Sequence, residues 1–293
     1  MSLPDSNLPA FESLAIVGVG LLGGSVALAA KQRGLARRVV GVGRDATRLE
    51  QAQKAGLIDD FTTDLGRAAV QMDFLIVCTP VNSIVPGVLE AAGACRPGTL
   101  ITDVGSTKAH LCREIGNGLP CGVTFVGSHP LAGSEKQGWE HALADLFEGR
   151  VCVVTPTESA SRDAVDRLTA FWQAVGMTVL EMSPEAHDCA LAQSSHVPHV
   201  VASALAQTLA VENRSLAATG FADTTRIAAG DPNVWVPILM ENRESVLARL
   251  DEFSSQIAVF REALASADAD ELRRLLERGK TIREQLQVRR VAE

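Results

Sequence analysis

The chain has 293 residues, 46% hydrophobic and 21% charged, with 24 glycines and 12 prolines, which excludes a disordered, collagen-like or disulfide-stapled protein and leaves room for two domains. Lys plus Arg is 27 against 35 Asp plus Glu, so the formal net charge of -8 supplies no general attraction to nucleic acid or to an anionic membrane. Cys78, Cys95, Cys112, Cys121, Cys152 and Cys189 are scattered, with no CxxC or close Cys/His metal-ligand spacing, and Met1 to Phe11 has no secretory pattern; buried thiols and a cytoplasmic location are expected.

Leu14 to Val19 is an apolar run suited to a strand buried on both faces, and Leu22 to Arg33 reads as a helix ending before Gly34. Leu14 to Ala30 carries no charge and touches the lower limit for a spanning helix, about 17 residues. Glycines at 18, 20, 23 and 24 break it, and they have a better explanation. In Gly18-Val19-Gly20-Leu21-Leu22-Gly23, Gly18 permits a tight turn, Gly20 lets backbone approach a pyrophosphate, and Gly23 lets the helix pack close to the strand. The pyrophosphate then rests on the positive helix end, making Gly18, Gly20, Leu21, Leu22 and Gly23 candidate cofactor-binding residues. The alternative is a glycine-rich turn with no ligand.

A second apolar run, Val39 to Val42, completes the βαβ unit. At its end, where an acid would select NAD, stand Gly43 and Arg44, with Arg48 one helical turn on. Asp45 is better placed to cap the following helix, so NADP is expected as cofactor, with NAD the alternative if Asp45 reaches the ribose.

Further strands are read at Phe74 to Cys78, Thr99 to Thr102, Val123 to Val126 and Val151 to Val154, alternating with helices. The expected fold is therefore α/β: a Rossmann-type, doubly wound, mostly parallel sheet over residues 1–182, followed by an all-helical region over 183–293. Thr79-Pro80, Asp103 to Lys108 and Ser128 to Gly133 each follow a strand end, where such sheets bind ligands. Ser106 and Thr107 are placed to cap a helix while presenting hydroxyls to the crevice. His129, on what reads as a rigid loop, is a candidate general base, the plainer alternative being a structural histidine.

Past Ser183 the chain reads as helices interrupted near Gly220 and at Gly230-Asp231-Pro232. His196 and His199 stand three residues apart, but His187 and Asp188 give no recognised zinc spacing with them, so no metal is expected. Arg226 is suited to hold a carboxylate, its alternative being a surface ion pair with Asp223 or Asp231. Leu239, Val246, Leu250, Phe253, Ile257 and Phe260 form one helical stripe, read as core or subunit interface.

Five segments together resemble the prephenate and arogenate dehydrogenases of tyrosine biosynthesis. They are Gly18 to Ser25, Asp103 to Lys108, Ser128 to Glu135, Ser195 to His199, and Gly220 to Ile227 followed by Asp231-Pro232 and Trp235. The resemblance implies oxidative decarboxylation of a cyclohexadienyl ring with hydride transfer to NAD(P). His129 would accept the ring hydroxyl's proton, Ser106 would orient it, and Arg226 would bind a substrate carboxylate. His199, His196, Ser195, Ser134 and Glu135 would line the substrate pocket, and Thr79 and Pro80 would lie along the cofactor. The helical domain would form a homodimer, and feedback by tyrosine, if present, would act at the active site. Prephenate is the expected substrate; arogenate or dual specificity with NADP is the alternative. A 3-hydroxyacid dehydrogenase would be expected to use a lysine in the helical half, and Pro184 to Gly230 has none. A non-catalytic nicotinamide sensor is the reading from another class.

Overall fold

The structure is a computed structural model that describes residues 11–116, 119–120, 122–133 and 136–286. It divides into two compact units, Met1–Arg243 and Glu244–Glu293.

The first unit is built on a parallel sheet of six strands: β1 (Phe11–Val17), β2 (Ala36–Val42), β3 (Asp60–Thr62), β4 (Phe74–Val77), β5 (Leu100–Asp103) and β6 (Thr124–Phe125). Their spatial order is β3-β2-β1-β4-β5-β6, which reverses direction at β1. The connecting helices are α1 (Leu21–Gln32), α2 (Ala46–Lys54), α3 (Leu65–Ala69), α4 (Ile84–Ala94) and α5 (Ala109–Gly116). Because successive side chains of a strand face opposite ways, β1 feeds two cores. Leu14 and Ile16 pack with Val26 of α1 and Leu49 of α2, while Ala15 and Val17 pack with Ala68 of α3, Val88 of α4 and Leu111 of α5. This is the doubly wound arrangement, and ligands in such sheets bind beyond the strand carboxyl ends at the reversal point.

A three-stranded sheet follows: β7 (Gly127–Pro130), β8 (Val151–Thr155) and β9 (Thr178–Glu181), with α6 (Arg162–Ala174) between the last two. β7 runs antiparallel to β8, with His129 opposite Val153, and β8 runs parallel to β9. The segment carrying His129 is therefore an edge strand rather than the expected loop. Pro130, which has no N–H, is tolerated there because only one side of β7 is paired. β3 and β9 are likewise strands beyond those expected.

Helices α7 (Pro184–Leu191), α8 (Val197–Gln207), α9 (Thr219–Thr225) and α10 (Pro232–Glu241) complete the first unit. A π-helical turn, Ala192–His196, joins α7 to α8. Gly220, expected at a helix break, lies inside α9; the break falls before it, at the 3-10 segment Val211–Leu216. The second unit holds nearly all of α11 (Arg243–Ala265) and all of α12 (Ala269–Gln285). The expected apolar stripe is split, since Leu239 belongs to α10 and the rest to α11; Phe253 and Ile257 are 37% and 51% exposed. Among the described residues, no helix is long and apolar enough to cross a membrane. Cys112 and Cys152 are buried thiols, whereas Cys78, Cys95 and Cys189 are only partly buried; Cys121 lies outside the described residues.

Candidate active site

The turn from β1 into α1 is shaped by its glycines. Gly18 has φ +96, and a Cβ there would stand 2.9 Å from the Cys78 carbonyl oxygen at the end of β4. A side chain at Gly23 would run into the Gly18 carbonyl and stand 2.9 Å from Ile16 Cγ2, so only glycine lets α1 press against its own strand. Gly20, by contrast, faces open space. No side chain caps α1, and no acid lies in its first turn, so the N–H groups about Leu21 and Leu22 are left to an anion. Thr79, just past β4 and before exposed Pro80, has a buried hydroxyl with no partner. An open, uncapped helix end beside an orphaned hydroxyl fits a dinucleotide of the kind the glycine spacing implies.

At the end of β2, Gly43 N–H bonds the Thr62 carbonyl and Arg44 is exposed. Asp45 caps α2, its Oδ1 accepting from Arg48 N–H at 3.1 Å. The Arg48 guanidinium forms a pair with Glu140, 3.1 Å and 3.2 Å to the two carboxylate oxygens.

Beyond β5 and β7 lies a buried polar cluster. His129 Nδ1 is 2.9 Å from His187 Nε2, and His187 Nδ1 is 2.7 Å from Asp188 Oδ1. Asp188, on α7, also caps α5: its two oxygens accept from Lys108 N–H at 2.8 Å and Ala109 N–H at 2.9 Å. Ser106 and Thr107 therefore do not cap that helix. The hydroxyl of Ser106 is half-buried, and Thr107 Oγ1 donates to Glu241 Oε2 at 2.7 Å. Lys108 Nζ pairs with the Asp103 carboxylate and donates to the Thr107 carbonyl at 3.0 Å, with both charged side chains fully buried. Gly105 N–H binds the same Asp103 oxygen at 2.8 Å. Trp172 Nε1–H donates to Ser128 Oγ at 3.1 Å, and Ser128 donates to the Asp103 carbonyl at 2.6 Å, tying β7 to β5. Burial, reinforced by the nearby His187, Lys108 and His196, holds His129 well below the ordinary imidazole range, so it is neutral at pH 7.

The helical side adds two further histidines, both of whose rings meet Trp235, His196 edge-on and His199 stacked. His196 Nδ1 faces Asn242 Nδ2 at 3.1 Å, and that amide also donates to the Asp188 carbonyl at 2.7 Å. Burial pushes His196 down to about 4, against the opposing pull of Asp188. His199 stacks on Trp235 with ring centroids 3.6 Å apart, and its Nδ1 is buried without a partner. A Cβ on Gly230 would meet both rings, within 2.5 Å of Trp235 Nε1 and 2.7 Å of His199 Cε1, so this contact requires glycine. Ser195 is half-buried in the π-helical turn. Arg226 is exposed where α9 ends, and among the described residues no carboxylate pairs with it; Asp231 is engaged with Asn233 and Gln137. Ser134 and Glu135 lie outside the described residues.

The structure thus joins His129 to His187, Asp188, Asn242 and His196 in one hydrogen-bonded chain. Sequence reading missed the first link, because His129 and His187 are 58 residues apart and on different element types. The available signal was the His187-Asp188 pair itself, set aside there as a failed metal spacing.

Two family descriptions match: "Prephenate dehydrogenase, nucleotide-binding domain" over residues 26–181 and "Prephenate dehydrogenase, dimerization domain" over 183–278. The chain is 35% identical to prephenate dehydrogenase of Bacillus subtilis over 285 residues, covering 95% of this chain and 77% of that one. It is 32% identical to cyclohexadienyl dehydrogenase of Zymomonas mobilis, covering 89% and 92%. Among solved structures, prephenate dehydrogenase from Aquifex aeolicus in complex with hydroxyphenyl propionate and NAD+ superposes with TM-score 0.88 at 32% identity, covering 94% of this chain and 98% of that one. Arogenate dehydrogenase of Synechocystis does so with TM-score 0.83 at 28% identity, covering 93% and 99%.

Proposed function

Because the chain belongs to the prephenate dehydrogenase family, we propose that it oxidatively decarboxylates prephenate to 4-hydroxyphenylpyruvate, with hydride passing to a nicotinamide cofactor. The observation that carries the mechanism is the buried chain from Asp188 through His187 to His129.

The Asp188 carboxylate can only accept, so His187 carries its proton on Nδ1 and, when neutral, presents a lone pair at Nε2. His129 Nδ1 must then be the donor in the 2.9 Å contact, which leaves His129 Nε2 as the free lone pair. His187 acts as a positioning residue, fixing the tautomer that makes His129 a base. His129 Nε2 takes the ring hydroxyl's proton as hydride leaves the same carbon. The bond from the ring to its carboxylate then breaks, its electron pair aromatises the ring, carbon dioxide departs, and the oxygen takes the proton back. The cofactor, when bound, supplies the hydride acceptor. Ser106 orients the hydroxyl, Arg226 binds a substrate carboxylate, and His199 with His196 and Ser195 lines the pocket; the family resemblance assigns Ser134 and Glu135 to the same pocket. Residues 183–293 form the substrate-binding and dimerisation part of this reading.

NADP is the proposed cofactor, bound by Gly18, Gly20, Leu21, Leu22 and Gly23 with Gly43, Arg44 and Arg48 at the adenosine ribose and Thr79-Pro80 beyond. Support comes from Asp45, whose Oδ1 is occupied as a helix cap, and from Arg44, exposed at the end of β2. A homodimer in the cytoplasm completes the proposal; exposed Val234, Val236 and Met240 on α10, and exposed Leu247, Phe253 and Ile257 on α11, give apolar surface for it. Similarity to a cyclohexadienyl and an arogenate dehydrogenase keeps arogenate as the second reading.

The test is the initial rate of nicotinamide reduction with prephenate and with arogenate, each against NAD and NADP. Fastest turnover with prephenate and NADP is expected; preference for arogenate would replace the substrate, and preference for NAD the cofactor. Silence in all four with cofactor still bound would favour the sensor.

A further inference from the structure

We infer that Glu140, far along the chain from the glycine-rich turn, is a specificity-determining residue that guards the adenosine ribose against a 2′-phosphate and sets the balance between NADP and NAD. The inference rests on the nicotinamide-cofactor reading above.

Three observations carry it. The 3-10 turn Trp139–His141 is fastened to the first half of α1: Leu143 N–H donates to Ser25 Oγ at 3.0 Å, and a Cβ on Gly24 would stand 2.9 Å from Ala142 Cβ and 3.5 Å from Trp139 Cβ. The same turn reaches the first turn of α2 through Glu140, whose two oxygens lie 3.1 Å and 3.2 Å from one Arg48 nitrogen. Gly138, with φ +93, takes a conformation that favours glycine, and the ends of the Glu140 and Arg48 side chains close over it. The turn is thus anchored on α1 while its Glu140 carboxylate lies against the first turn of α2, beside the β2 end that borders the adenosine half of a dinucleotide.

The charge consequences are specific. At the end of β2 the Asp45 Oδ1 is engaged as the cap of α2, and Arg48 is already paired with Glu140. A ribose hydroxyl can donate to Glu140, whereas a 2′-phosphate must compete with Glu140 for Arg48. The Arg48–Glu140 pair is about half exposed on both sides, so it is weak enough to be displaced. Glu140 therefore leaves NAD usable and holds back the NADP preference that Arg44 and Arg48 alone would create.

The experiment is calorimetric binding of adenosine 2′,5′-bisphosphate and adenosine 5′-monophosphate, then of NADP and NAD, to the wild type, Glu140→Gln, Arg48→Gln and the double variant. In Glu140→Gln the 2′-phosphorylated ligands should bind about fivefold more tightly, the size of an exposed charge effect, and the others no more tightly than before. That gain should disappear in the Arg48→Gln background. Equal changes for both ligand classes, no change, or a gain that survives without Arg48 would overturn the role of Glu140 while leaving the cofactor reading intact. A wild type that binds neither NADP nor NAD would overturn the cofactor reading and this inference with it.

Discussion

In the proposed reaction His129 is a neutral imidazole acting as a directed base. Burial keeps it unprotonated, and a neighbour decides which nitrogen is free. His129→Asn should lower kcat by about 10²–10⁴-fold with KM little changed, as steady-state kinetics would reveal; an unaltered kcat would remove it from the chemistry. Arg226→Ala should instead raise KM, by about 10²-fold for the loss of a charged contact of about 3 kcal/mol, and a KM that stays put would take Arg226 out of the pocket. His196 makes a prediction about stability rather than rate. A histidine whose folded pKa lies at about 4, below the ordinary 6.5, binds fewer protons folded than unfolded. Its contribution is complete above about pH 6.5 and is lost as pH falls towards 4. Denaturant titrations at pH 7 and pH 4.5 should show the wild type losing about 2–3 kcal/mol more than His196→Asn over that interval, and equal losses would refute it.

Among the elements, the turn from β5 into α5 carries a buried ion pair. Lys108 and Asp103 are both fully buried, and the turn wraps the carboxylate so closely that a Cβ on Gly105 would stand 2.8 Å from it. Removing one partner leaves a buried charge uncompensated, so Lys108→Met should destabilise the protein by about 3–5 kcal/mol, and adding Asp103→Asn should restore part of the loss. A melting curve unchanged by Lys108→Met would show the pair to be solvated. The glycine turn before α1 was legible because backbone conformation and close packing at Gly18 and Gly23 depend on residue type at fixed spacing. β7 was not, since Gly127-Ser128-His129-Pro130 reads as a loop and becomes a strand only by pairing with β8. β3 escaped for a different reason: three residues are too few to show alternation. The cap on α5 was sought next door, at Ser106 and Thr107, but comes from Asp188 some 80 residues away. Local pattern names an element's own signals; it cannot name a partner supplied by the fold.

At the level of the molecule, the doubly wound sheet gathers the carboxyl ends of its six parallel strands at one edge, and the helices from Pro184 to Glu241 belong to the same compact unit. Catalytic character in the proposed reaction comes from combining them: β7 supplies His129, α7 supplies His187 and Asp188, and Asn242 after α10 holds Asp188 and His196 together. His129 and His196 were readable one by one as candidates, while Asn242, the part of His187 and Asp188, and the hydrogen-bonded order linking them were not. The most direct measurement is the stoichiometry and rate of carbon dioxide release from prephenate labelled in its ring carboxylate, followed alongside nicotinamide reduction in the wild type and in His129→Asn. One carbon dioxide per reduced nicotinamide in the wild type, with both rates falling together by about 10²-fold or more in the variant, is the predicted result. Reduction without decarboxylation, or a variant as fast as the wild type, would contradict it.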